Sequence, residues 1–151
     1  MSLDRYKFRG KRLDNGEWVI GSLDLGCHDA FGDEHPAGIR LPNYHAIPVD
    51  PATVGQYTGR SIAGVEVYEG DKITFDWRVQ EGGELYAGDS EGMEGVVEFI
   101  GRHIVRFQGM QFDLHEVNEA DDRRLWREHR HAGSDDFFLM DNFKVIGSIH
   151  D

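Results

Sequence analysis

The chain has 151 residues and a mass of 17.2 kDa, enough to bury a real core in one ordinary domain or two very small ones, and too little for a large enzyme. Its 16 Lys and Arg against 28 Asp and Glu leave a net charge of −12, which argues against general adhesion to nucleic acid or to an anionic membrane. The longest apolar run, Phe137 to Met140, falls far short of the roughly 20 residues of a spanning helix. Met1-Ser2-Leu3-Asp4 opens no signal-peptide core, and the lone Cys27 suits a reducing compartment, so a cytoplasmic chain without disulfide staples is expected.

Nineteen glycines against four prolines, separating short stretches of Val, Ile, Phe, Tyr and Trp, give the rhythm of strands and tight turns. From Tyr6 to Leu25 two strand-like arms flank Asn15-Gly16, a dipeptide that accepts positive φ and predicts a two-residue hairpin. On the second arm Trp18, Ile20 and Ser22 share one face and Glu17, Val19, Gly21 and Leu23 the other; neither is cleanly polar, so cover on both sides is expected. Residues 26–42 turn to Gly, Asp, Glu, His and Pro and read as a long surface connection. Tyr44 to Val49 reads as a strand, Asp50-Pro51 as a turn or helix start, and Thr53 to Thr58 as a short helical turn or an extended link.

Val65 and Val67, then Ile73, Phe75 and Trp77, alternate along two strands joined at Glu69-Gly70-Asp71 in a hairpin or corner. Residues 76–95 hold five glycines and six acids and read as a mobile acidic loop. Residues 95–100, 103–108 and 110–114 form a three-strand meander. Asn118 to His131 is the helix candidate, with acids in its first turn, bases in its last and Glu119 four residues before Arg123; a long ordered loop is its rival. Phe137 to Met140 and Phe143 to Ile149 close the chain as strands. The pattern predicts a mainly β fold of the α+β type, in which short antiparallel strands and hairpins build a compact barrel-like or coiled sheet with one minor helix. A single domain spans residues 1–151, with sub-parts 1–75 and 95–151 joined by the acidic loop.

Charge is unevenly distributed. Residues 1–20 carry Arg5, Lys7, Arg9, Lys11 and Arg12 against Asp4, Asp14 and Glu17. On a strand, Arg5, Lys7 and Arg9 project from one face as a positive comb that either meets phosphates or pairs with acids and blunts an edge. With Tyr6, Phe8, Trp18, Tyr57 and Trp77 as stacking aromatics, the comb suggests a small nucleic-acid-binding barrel, against which core packing is the default for most of these rings.

Motifs of catalysis fit poorly. Gly10-Lys11 is followed by Arg12 rather than Ser or Thr, so no P-loop forms. Gly88-Asp89-Ser90-Glu91-Gly92 matches a nucleophile elbow, with Asp113 and His129 in hydrolase order, but lacks a helix after the Ser and carries two carboxylates that would oppose an oxyanion. His28, Asp29, Asp33, Glu34 and His35 form the densest set of metal-ligand types, as a metal-dependent hydrolase would need, yet a hydrated loop yields such a set by composition alone. His115-Glu116 starts a zinc motif that ends on Glu119 instead of His, and Cys27 beside His28 does not by adjacency make a nucleophile pair.

Lys7-Phe8-Arg9-Gly10-Lys11-Arg12, followed by Asn15-Gly16-Glu17-Trp18-Val19 and Gly21-Ser22-Leu23, resembles the opening of the YopX-like proteins of bacteriophages and prophages. Val49-Asp50-Pro51 with Thr53-Val54-Gly55-Gln56-Tyr57-Thr58-Gly59, then Tyr68-Glu69-Gly70-Asp71-Lys72-Ile73, and finally residues 143–151 are similar to three further motifs of that family in the same order. The resemblance implies a largely β phage or prophage protein and brings no catalytic residues; residues 26–42 and 76–95 have no counterpart in it. The expectation is a non-enzymatic accessory protein without a cofactor or bound metal, which binds an unidentified host or phage protein through a β surface and assembles as a homo-oligomer. Arg5, Lys7, Arg9, Trp18, Glu69 and Asp71 are the candidate contact residues. A nucleic-acid-binding barrel and a metal-dependent hydrolase are the alternatives.

Overall fold

The computed structural model describes residues 6–42, 44–81, 84–86, 92–107, 110–117, 125–131 and 134–151. Within these the fold is mainly β, with two antiparallel sheets and short 3-10 turns that include Pro51–Thr53 and Leu114–Glu116. No helix among the described residues is long and apolar enough to cross a membrane. The chain divides into two compact units: the first holds Met1–Gly59, Tyr68–Gly70 and His150, the second Arg60–Val67, Asp71–Ile149 and Asp151. The division falls near residues 59 and 70.

The first unit is built on β1 (Lys7–Lys11), β2 (Trp18–His28), β3 (Glu34–Arg40) and β4 (Ala46–Pro48), in the order β4-β3-β2-β1. Alternation drives Val19, Ala37, Ile39 and Val49 into one core, with Phe8, Leu23, Leu41, Ile47 and Val54 packed against it. The sheet curls back on itself. Arg12 and Val49 form an antiparallel bridge, the Asp50 amide donates to the Lys11 carbonyl at 2.8 Å, and the Leu13 amide donates to the Pro48 carbonyl at 3.2 Å. A latch holds this closure: Asp50 caps the 3-10 turn by accepting from the Ala52 amide at 3.0 Å, and Thr53 Oγ1 accepts from the Lys11 amide at 2.8 Å. The barrel-like curl expected from the sequence is thus present.

The hairpin of β1 and β2 forms, but its loop is longer than predicted. The Arg12 amide donates to Glu17 O at 2.9 Å, leaving Leu13 to Gly16 as a four-residue loop in which Gly16 alone takes a positive φ, 72°. Asn15 Oδ1 instead accepts from the Glu17 amide. On β2 Val19 is buried, while on the opposite face Trp18 is half-buried and Ile20 exposed, so cover of that second face is only partial. Gly21 has a packing reason: a Cβ there would stand 2.3 Å from the carbonyl oxygen of Arg40.

Residues 26–42 are not a surface connection. β2 runs on to His28, and β3 pairs with it from Ser22↔Arg40 to His28↔Glu34. The polar composition masked a strand because Cys27, Ala37 and Ile39 are small or few, yet all three are buried.

β5 (Gly55–Ile62) pairs with β1, and β6 (Val65–Tyr68) pairs with β5. The Glu69-Gly70 turn then leads into β7 (Asp71–Glu81) of the other sheet, so the predicted joint is a corner and not a hairpin. In the second unit β7 pairs with β8 (Glu84–Tyr86), β9 (Met93–Phe99) and β13 (Ser134–Ser148), so much of the predicted acidic loop is strand. β9, β10 (His103–Phe107) and β11 (Met110–Asp113) form the expected meander. The core here is aromatic: Phe75 meets Phe107 at 5.3 Å and Phe112 at 5.7 Å edge-on, and Phe143 at 5.6 Å.

The predicted helix fails where it is described. Leu125–His131 is β12, paired in unbroken register with β13 from Leu125↔Met140 to His131↔Ser134. An i,i+4 charge pair stabilises a helix by only about 0.2–0.5 kcal/mol, too little to compete with covering the edge of so long a strand. Residues 118–124 lie outside the described residues. The two closing strands are one, β13, with a bulge between Asp141 and Lys144 where Asn142 takes φ 55°.

Candidate binding cleft

Lys7, Arg9 and Lys11 alternate on one face of β1, as the sequence requires, while Phe8 points into the core. Their charges are not displayed as a comb. Lys7 Nζ lies 4.5 Å from the Tyr57 ring centroid, Arg9 Cζ lies 4.4 Å from Trp18 and 4.9 Å from Tyr68, and Lys11 Nζ lies 5.3 Å from Trp18. Tyr57 and Tyr68 are themselves buried, 5.3 Å apart. The cations cover ring faces that a nucleobase would need for stacking. Lys11 Nζ also donates to the His150 carbonyl at 2.7 Å.

The structure therefore joins three of the predicted contact residues, Lys7, Arg9 and Trp18, in a ladder that holds the strands together. Arg5 lies outside the described residues. Glu69 is half-buried at the corner, where its amide donates to Gln56 O at 3.0 Å. Asp71 is a correction: it opens β7 opposite Ser148 with 1 % of its surface exposed, so it cannot serve as a surface contact. The sequence marked Tyr57 as a stacking aromatic and placed Tyr57 and Tyr68 in family-like motifs, but linked neither to the basic residues of β1; a Lys or Arg comb facing aromatics from neighbouring strands is the pattern that pairs them.

The metal-ligand types of residues 28–35 do not converge. Asp29 organises the β2–β3 loop instead. Its Oδ1 accepts from the amides of Phe31 at 2.8 Å and Asp33 at 2.9 Å, and its Oδ2 meets His35 Nε2 at 2.9 Å. The bond to His35, aided by the two amides, holds the Asp29 carboxyl below the usual carboxylate range. His28, Asp33 and Glu34 face solvent, and no group of three or more His, Cys, Asp or Glu side chains placed to hold a metal occurs among the described residues. Cys27 is buried, and burial pushes its thiol pKa up, which makes it a poor nucleophile. Ser90 lies outside the described residues; Asp113 caps the Leu114–Glu116 turn and pairs with Arg102 at 3.2 Å.

What the loop does present is an apolar cleft of about 540 Å³ in the first unit, a size suited to a bulky side chain or small ligand. Leu13, Phe31, Tyr44, Ile47 and Pro48 supply its apolar surface. Phe31 is 92 % exposed and Tyr44 70 %, both far more than an aromatic ring in a settled core. At its edge Arg12 pairs with Asp14 at 2.6 Å, and Asp29 Oδ2 lies 2.9 Å from His35 Nε2. No family model, curated protein or solved structure matches this chain. Nothing in the sequence marks the cleft, because its apolar residues come from three connections and β4, and join only when the sheet curls.

Proposed function

We propose that the protein is a non-enzymatic binding protein whose contact surface is this cleft with Phe31 at its mouth, and that its first partner is a second copy of the chain. The observation that carries the reading is the exposure of Phe31 beside a concave, apolar cleft. A projecting ring and a hollow on one molecule are self-complementary under two-fold symmetry, which is what a dimer contact needs. Asp29 supports the role by holding the loop that carries Phe31 in one conformation, so little ordering entropy is lost on association. The motif resemblance to YopX-like proteins supports a phage or prophage accessory role in the host cytoplasm, and a buried reduced Cys27 agrees with that compartment.

The nucleic-acid reading has weaker support, because the bases that would meet phosphates are engaged over Tyr57, Trp18 and Tyr68. Light scattering coupled to size exclusion across a micromolar dilution series tests the proposal. A mass of two chains that falls towards one on dilution is expected; one chain at every concentration contradicts it.

A further inference from the structure

We propose that the cleft of the first unit has a second kind of occupant, a basic protein segment in which Lys or Arg flanks a bulky apolar side chain, and that this segment competes with the second copy of the chain. The inference rests on the cleft being the contact surface, not on a copy already filling it. Charge at the mouth points to it. Residues 13–39, which run from the β1–β2 loop through β2 and the Phe31 loop into β3, hold Asp14, Glu17, Asp24, Asp29, Asp33 and Glu34 and no Lys or Arg. All six acids are exposed or half-buried. At the cleft itself the Arg12 guanidinium is taken up by Asp14, to which it donates from Nε at 2.9 Å and from a terminal nitrogen at 2.6 Å. Asp29 lines the wall as a carboxylate favoured by His35 and by the amides of Asp33 and Phe31, and Asp33 lies exposed two residues beyond Phe31. Above the ordinary titration range of imidazole the mouth therefore carries an excess of negative charge, on a chain whose net charge is −12.

A second copy brings the same acids to the same place, and two chains of like charge repel at long range, so the self-contact forms against electrostatic resistance. A basic segment meets a field of the opposite sign. The mouth also offers ring faces, since Phe31 is 92 % exposed and Tyr44 70 %, and the negative face of an aromatic ring attracts the head of a Lys or Arg side chain. Behind these rings the hollow of about 540 Å³, walled by Leu13, Ile47 and Pro48, has room for a side chain of the size of Phe or Trp. Burial of that side chain supplies affinity, and the acids at the mouth select what flanks it.

Amide NMR titration of the chain at about pH 7.5 with three probes, acetyl-Lys-Phe-Lys-amide, acetyl-Glu-Phe-Glu-amide and acetyl-Lys-Gly-Lys-amide, tests the proposal. Lys-Phe-Lys should shift the amides of residues 29–33 and 44–47 saturably, with an affinity about tenfold above that of either other probe and falling as NaCl is added. Phe31→Ala, a change at an exposed position, should weaken it about tenfold. Equal binding of Glu-Phe-Glu, equal binding of Lys-Gly-Lys, or no saturable shift at these residues overturns the proposal, the second because it marks cations merely condensed on an acidic chain. Sedimentation in the same buffers reads the self-contact separately. Added NaCl should strengthen that contact while it weakens the peptide, and a self-contact weakened by NaCl also overturns the proposal, because it denies that like-charged mouths meet. A monomeric chain that binds Lys-Phe-Lys in this way contradicts only the self-contact, and a dimer that does not bind it contradicts only the basic partner.

Discussion

Arg9 stacks on Trp18, its Cζ 4.4 Å from the ring centroid, and the same guanidinium lies 4.9 Å from the ring of Tyr68. One side chain thus bridges β1, β2 and β6 through aromatic faces. Arg9→Ala should lower stability by about 1–3 kcal/mol, read from urea unfolding, through loss of both the cation–π attraction and the packed stem. Arg9→Lys should recover only part of this, because an ammonium does not stack as a planar guanidinium does. Equal stability of all three proteins would show that the ladder contributes nothing.

Two glycines of one hairpin should fail for different reasons. Gly21→Ala drives a methyl group to within 2.3 Å of the Arg40 carbonyl, a backbone atom that cannot swing away, and should cost about 3 kcal/mol or prevent folding. Gly16→Ala meets no atom within 4 Å and is strained only by its φ of 72°, so about 1 kcal/mol is expected. Circular dichroism melts of the two variants distinguish a collision from backbone strain.

His103 should make stability depend on pH. Burial pushes its imidazole pKa below the ordinary value of 6.5, the nearby His115 adds to this, and Asp113 opposes it. The folded chain therefore binds fewer protons here than the unfolded chain, so this residue's effect is to lower stability as pH falls through about 6.5. The loss has a slope of at most about 1.4 kcal/mol per pH unit and ends once the folded imidazole itself protonates. Urea unfolding of wild type and His103→Gln between neutral and mildly acidic pH should show a flatter profile for the variant. Parallel profiles would contradict the assignment.

Where apolar residues alternate, the sequence was enough to place strands. Val65 to Trp77, the meander after Gly95 and the arms around Gly16 all announce themselves by period and turn chemistry. Composition misled where strands carry few large side chains: Glu34 to Arg40 buries only Ala37, Gly38 and Ile39, so it resembles a loop until β2 and β4 flank it. Leu125 to His131 shows the opposite failure, a segment with helical charge spacing recruited as a strand because β13 offers seven pairing positions. At the surface, the basic residues of β1 were legible as a row, but their engagement with Tyr57, Trp18 and Tyr68 depends on which strands become neighbours. The cleft was illegible for the same reason, since residues 13, 31, 44 and 47 carry no shared motif.

Sedimentation velocity of the wild-type chain beside Phe31→Asp bears most directly on the claim that this is a contact protein. A charge at an exposed loop position leaves the fold intact but cannot enter an apolar hollow without losing its water. Wild type should sediment as a concentration-dependent dimer and Phe31→Asp as a monomer with unchanged circular dichroism. A wild-type monomer at all concentrations, or a variant that associates as tightly as wild type, would contradict the account.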